Sequence, residues 1–114
     1  MTVRKGVAVI KPSGSMAFYH LEDILEFIRK QIEQKNSRFI FDFSSIIWVD
    51  ANGLGLIAMA VKYALTNRNR VCIVGPNDVV KNLLKHSRLI ELVRIEDSME
   101  EALKTFQTKG KEKK

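Results

Sequence analysis

The sequence predicts an α/β domain with a four- or five-stranded, mostly parallel or mixed sheet and about four covering helices. Three observations lead there. Short runs rich in branched and aromatic residues alternate with stretches whose apolar residues recur at helical spacing, in the order β-α-β-α-β-α-β-α. Breakers and caps fall between these stretches: Lys11-Pro-Ser-Gly-Ser15, Gly75-Pro76 and the S-x-x-E capping box Ser98–Glu101. A chain of 114 residues, 46% of them hydrophobic, suits one domain with one core and needs neither disulfides nor metals to fold.

The elements follow in order. Val3 to Ile10, with Val7, Val9 and Ile10, reads as the first strand. Leu21, Ile24, Leu25, Ile28 and Ile32 form the apolar stripe of a first helix, with Glu22, Glu26, Arg29, Lys30 and Glu33 opposite. Phe39 to Phe43, continued by Ile46 to Val49, reads as one strand and its extension. A second helix starts near Asn52 or Gly53 on the stripe Leu54, Ile57, Ala58, Val61 and Leu65. Arg70 to Val74 is a buried strand, and Asn77 or Asp78 caps a third helix running to about His86. Leu92 to Ile95 is a short last strand. The fourth helix turns Met99, Ala102, Leu103 and Phe106 inward. Residues 1–107 form the domain and residues 108–114 a lysine-rich flexible tail.

Composition narrows the function classes. The single cysteine, Cys72, cannot form an internal disulfide, and no signal stretch or long apolar run is present. The expected setting is cytoplasmic, with no membrane insertion. The net charge of +6 includes four lysines and one glutamate in the tail, so the body is only modestly basic and nucleic acid is not expected as a partner. His20 and His86 lack companions at metal-ligand spacing, so no metal or cofactor site is expected. No nucleophile-elbow pattern supports hydrolase chemistry. Gly53-Leu-Gly-Leu-Ile-Ala58 matches G-x-G-x-x-A, with Asp78 about twenty residues on, but Asp50-Ala-Asn precedes the glycines and the chain is short for both nucleotide-binding halves.

In such sheets functional groups gather where a strand ends and a helix begins. The unusual junction is Trp48-Val-Asp-Ala-Asn-Gly-Leu-Gly55. The run FDFSSIIWVDANGLGLIAMA, Phe41 to Ala60, resembles the central signature of the STAS, or anti-sigma factor antagonist, family: D-x-S, then hydrophobics, then D-S-x-G-L-G opening a helix. Asp42, Ser44, Asp50, Gly53, Leu54 and Gly55 sit at matching positions, and the element order from Val3 to Phe106 is similar too.

The resemblance implies a protein-binding module rather than an enzyme. Its partner would be an anti-sigma factor with serine-kinase character, and a homodimer is left open. It also implies a phosphorylation switch on the serine after the signature aspartate. Here that residue is Ala51, which has no hydroxyl to accept a phosphoryl group. The expected partner-binding residues are Asp50, Ala51, Asn52, Gly53, Leu54, Gly55, Leu56, Met59 and Tyr63, the last three being an outward row on the second helix. Gly53 and Gly55 leave room for a partner's backbone. The alternative is a scaffold or accessory subunit of a stress-signalling assembly or a membrane transporter. Trp48 reads equally well as an interface anchor or as core, and Cys72 as a small buried hydrophobe.

Overall fold

A computed structural model describes residues 1–12 and 21–112, with side chains to residue 106. Lys11-Pro12 follows the strand as expected; Ser13 to Ser15 and His20 lie outside the described residues. Five strands form one sheet: β1 (Thr2–Arg4), β2 (Val7–Ile10), β3 (Arg38–Asp42), β4 (Arg70–Val74) and β5 (Arg94–Glu96). They lie in chain order, β1 antiparallel to β2 and the rest parallel. Four helices accompany them: α1 (Leu21–Glu33), α2 (Ala51–Ala64), α3 (Asp78–His86) and α4 (Met99–Glu112).

Each of the three crossovers steps one strand further in the same direction. A right-handed connection therefore puts α1, α2 and α3 on one face. The sheet residues show it by alternation. Ala8, Ile10, Phe39, Phe41, Val71 and Ile73 pack with Ile24, Ile28, Ile57, Val61, Val80 and Leu84 of those helices. Their neighbours Val7, Val9, Ile40, Cys72 and Val74 face the other way, onto Ala102, Leu103 and Phe106 of α4. The central strands are buried on both faces, hence their unbroken apolar runs. Cys72 is fully buried, and that burial pushes its thiol up to about 12, so it packs as a hydrophobe.

Two expected caps are in place. Asn77 Oδ1 accepts from Val80 N at 2.9 Å, and Ser98 Oγ accepts from Glu101 N at 3.2 Å. Four expectations need correction. Val3 to Ile10 is not one strand. Lys5 and Gly6, at φ 52° and 77°, make a two-residue hairpin turn and divide it into β1 and β2. The last strand is Arg94–Glu96 rather than Leu92 to Ile95, because Arg88, at φ 66°, opens a 3₁₀ turn over Leu89–Glu91 that leaves Leu92 64% exposed. α2 begins at Ala51, ahead of Asn52 and Gly53, and its fully buried stripe is Ile57, Ala60, Val61 and Ala64. Ile46 to Val49 does not extend β3 as a strand; only Ile46 makes an isolated bridge.

Candidate functional site

The junction after β3 is built by two aspartates. Asp42, buried at the end of the strand, accepts at Oδ1 from Ser44 N (3.0 Å) and from Ser44 Oγ (2.6 Å). That local turn competes with the ladder and ends β3. The chain then runs in, out, out, in: Ile46 and Val49 are buried, while Ile47 is 79% and Trp48 57% exposed. Of the two readings of Trp48, core packing is excluded. Its side chain lies on the surface beside Ile47.

Asp50 then opens α2. Its backbone is extended (φ −93°, ψ −179°), and its Oδ1 accepts from Gly53 N at 2.8 Å. That satisfies one of the N–H groups a helix start leaves unpaired and sets a negative charge against the positive helix end. Asp50, rather than Asn52, is therefore the capping residue. Asp50, Ala51 and Asn52 are all exposed, with Ala51 the first helical residue.

The two glycines differ. A Cβ on Gly53 would stand 2.6 Å from Val49 Cγ2, so the missing side chain is what lets the loop close on the helix. Gly53 is buried, and packing against Val49 within the domain accounts for its glycine. A Cβ on Gly55 would meet nothing within 4 Å, and Gly55 is exposed. Both glycines lie inside α2, eleven and thirteen residues beyond the end of β3 at Asp42, so the strand-turn geometry of a dinucleotide fingerprint is not formed.

The outward row on α2 is split. Leu56 and Tyr63 are half-buried against the core, as is Leu54 of the apolar stripe, while Met59 is 49% exposed. Met59 and Tyr63 line a cavity of about 510 Å³ between α1 and α2, together with Glu22, Leu25, Glu26 and Arg29. The sequence reading missed this α1 wall, although Leu25 at the margin of its stripe is the signal for it. Arg29 bonds both Glu26 and Glu33. The hydrogen bond to Arg29 holds the Glu26 carboxyl below its ordinary value. Ser44 is exposed and Ser45 half-buried, both at the far end of the loop from Ala51. His86 is exposed, with Nδ1 2.8 Å from Asn82 O. Among the described residues no cluster of metal-ligating side chains occurs, and no helix is long and apolar enough to cross a membrane.

The whole chain can be set beside solved structures. It superposes on the STAS domain of a SulP transporter from Vibrio cholerae with a TM-score of 0.78 at 19% identity, covering 96% of this chain and 88% of that one. The anti-sigma factor antagonist SpoIIAA in its unphosphorylated form gives 0.72 at 19% identity, covering 94% of each chain. The phosphorylated form of SpoIIAA, a cell fate determinant of Bacillus, gives 0.72 at 20% identity, covering 93% of this chain and 96% of that one. At such identities these likenesses establish the five-stranded fold with its four helices. The sequence itself matches the STAS domain family over residues 1–102, and the chain therefore belongs to that family.

Proposed function

We propose that this protein is a regulatory binding module of the anti-sigma factor antagonist kind. It docks the start of α2 on an anti-sigma factor with serine-kinase character, and it does so without a phosphoryl switch at residue 51. The observation that carries this reading is the surface formed by Ile47, Trp48, Asp50, Ala51, Asn52 and Gly55. Two large apolar side chains, Ile47 and Trp48, stand exposed beside the start of α2. Exposed aromatic and aliphatic groups next to a bare backbone are the material of an interface hot spot. Gly55 fits the same reading. It costs helix stability relative to alanine, and among the described residues nothing lies within 4 Å of where its Cβ would stand.

Ala51 sets the regulation. A phosphoserine there would bring about −1.5 to −2 charges beside Asp50 and break an interface by repulsion and desolvation. Alanine fixes the surface in one state. Binding rather than catalysis is the activity, and no cofactor is needed for it.

The test pairs Trp48→Glu with Ala51→Ser against a purified anti-sigma kinase from the same host. The wild-type chain binds and is not phosphorylated, and Trp48→Glu loses binding while keeping its melting temperature. Ala51→Ser becomes phosphorylated with ATP and then dissociates. Stoichiometric phosphate on Ser44 or Ser45 of the wild type, or unchanged affinity in Trp48→Glu, overturns the proposal. If neither wild type nor Ala51→Ser engages the kinase, the missing hydroxyl at Ala51 favours the accessory-subunit reading. The partner is then a signalling assembly or a transporter.

A further inference from the structure

The charges of this chain are sorted between the two ends of the sheet. β2 to β5 are parallel, so their amino ends lie together. α1, α2 and α3, which return the chain from one strand to the next, close at that same end. Basic residues collect there. Arg4 and Lys5 stand at the hairpin turn, Arg38, Arg70 and Arg94 open strands, and Arg68 precedes β4. Lys62 and Lys85 lie in the last turns of α2 and α3, and Arg88 in the turn that follows. Among the residues with described side chains, the carboxylates at this end are Glu33 and Glu91, held by Arg29 and Arg88. The carboxyl end is the reverse. Glu22 and Asp23 open α1, Asp50 caps α2, Asp78 opens α3, and Glu100 and Glu101 open α4. Lys11 and Lys81 are the lysines among them.

Helix ends account for part of this pattern, since a helix favours cations at its C-terminus and anions at its N-terminus. They do not account for Arg4, Lys5, Arg38 and Arg70, which lie in strands and a hairpin turn. Arg38 and Arg70 face one another as register partners, an arrangement that costs stability by repulsion. Of the basic residues named at this end, only Arg88 and Arg94 ion-pair with a carboxylate among the described residues. α2 has 14 residues and so spans about 21 Å, more than twice the Debye length of about 8 Å at physiological ionic strength. The acidic end therefore does not neutralise the basic end, and the two act as separate surfaces. An apolar group stands within the basic one. Leu92 is 64% exposed and lies in the chain between Arg88 and Arg94. It borders a cavity of about 450 Å³ at the ends of α2 and α3, lined also by Lys62, Leu65, Arg88 and Leu89.

We propose that the basic end of the sheet docks on an anionic lipid bilayer, its cationic side chains among the headgroups and Leu92 in the interface. Cations spread over one whole end, with few carboxylates to hold them, match a surface of repeating negative charge. Nucleic acid repeats its charge too, but a phosphate backbone offers nothing to an exposed leucine, whereas the boundary of headgroups and acyl chains does. The contact is peripheral, because no helix among the described residues is long and apolar enough to cross a membrane. In this pose the start of α2, at the other end of the sheet, faces away from the bilayer and stays open to a protein partner.

The experiment is co-sedimentation of the full chain with vesicles of phosphatidylcholine, alone or with about one-third phosphatidylglycerol. The chain sediments with the acidic vesicles and not with the neutral ones, and raising sodium chloride from about 0.1 M to about 0.5 M releases it. Two double variants lose the same charge at opposite ends. Lys62→Gln with Lys85→Gln lowers the partition coefficient about 25-fold, at about fivefold for each lysine, whereas Lys11→Gln with Lys81→Gln leaves it within about twofold. Leu92→Ser lowers it a few-fold. Melting temperatures check that each variant is folded. Equal losses in the two double variants trace binding to net charge alone and overturn the proposal, as does unchanged binding in Leu92→Ser. Binding to a DNA duplex without binding to acidic vesicles overturns it in favour of nucleic acid. Self-association in dilute salt by sedimentation velocity, again without vesicle binding, overturns it in favour of the acidic end of a second copy.

Discussion

At the carboxyl end of the sheet, polar groups close on partners within the chain. Asp42 holds Ser44, Asp50 holds Gly53 N, and Asn77 holds Val80 N. At the amino end, Arg38 faces Arg70 and the Asn69 amide has no acceptor. The first region satisfies itself and still exposes Ile47 and Trp48; the second, among the described residues, leaves a buried amide without an acceptor and two facing arginines without a carboxylate. A surplus of apolar surface over a satisfied backbone suits a protein partner, whereas a buried donor without an acceptor beside facing like charges is a local cost to folding.

The largest effect expected within this comparison separates the two glycines of α2. Gly53→Val drives a methyl group into Val49 and destabilises the fold by roughly 1–3 kcal/mol, read from urea unfolding. Gly55→Ala stabilises it by roughly 0.5–1 kcal/mol. From the sequence, Gly53 and Gly55 alike were expected to leave room for a partner's backbone. A Cβ on Gly53 would stand 2.6 Å from Val49 Cγ2, so an effect on folding is expected at Gly53 and not at Gly55. Equal, small effects of the two substitutions show that Gly53 is as free as Gly55.

The next effect probes the amino end. In dilute chloride buffer Arg38→Gln relieves the repulsion with Arg70 and stabilises by about 0.2–1 kcal/mol. The gain disappears in 1 M salt, where screening acts over about 3 Å. A gain independent of salt assigns it to something other than charge.

The smallest expected effect concerns the tail. Removing residues 109–114, which hold no apolar side chain, shifts the melting temperature by less than about 4 °C, the scale of 1 kcal/mol in a domain of this size. A larger fall shows that the lysine-rich segment packs.

Much of this was legible in the residues. The apolar stripes of α1 and α4, the β4 run and the caps at Asn77 and Ser98 state local preferences that the fold keeps. The hairpin at Lys5-Gly6 was hidden because β1 is three exposed residues with one apolar side chain, Val3, too little pattern to stand apart from β2. β5 was displaced because a left-handed Arg88, a conformation seldom taken by arginine, starts the turn before it. The segment Ile46 to Val49 misled for another reason. Four consecutive apolar residues read as a strand, yet a loop that alternates in pairs buries two and exposes two.

The sequence by itself determined the four helices, the parallel strands β2 to β4 between them, and the aspartates and glycines at the start of α2. These follow from periodicity, chain order and short-range hydrogen bonds. Only the tertiary structure decided what those residues face. Gly53 meets Val49 while Gly55 meets solvent, Trp48 lies outside the core, and Met59 shares a cleft with α1. Arg38, Arg70 and Arg94 are scattered in the sequence and become neighbours through strand register. Contact between residues far apart in the chain is set by how sheet and helices pack, which no local pattern encodes.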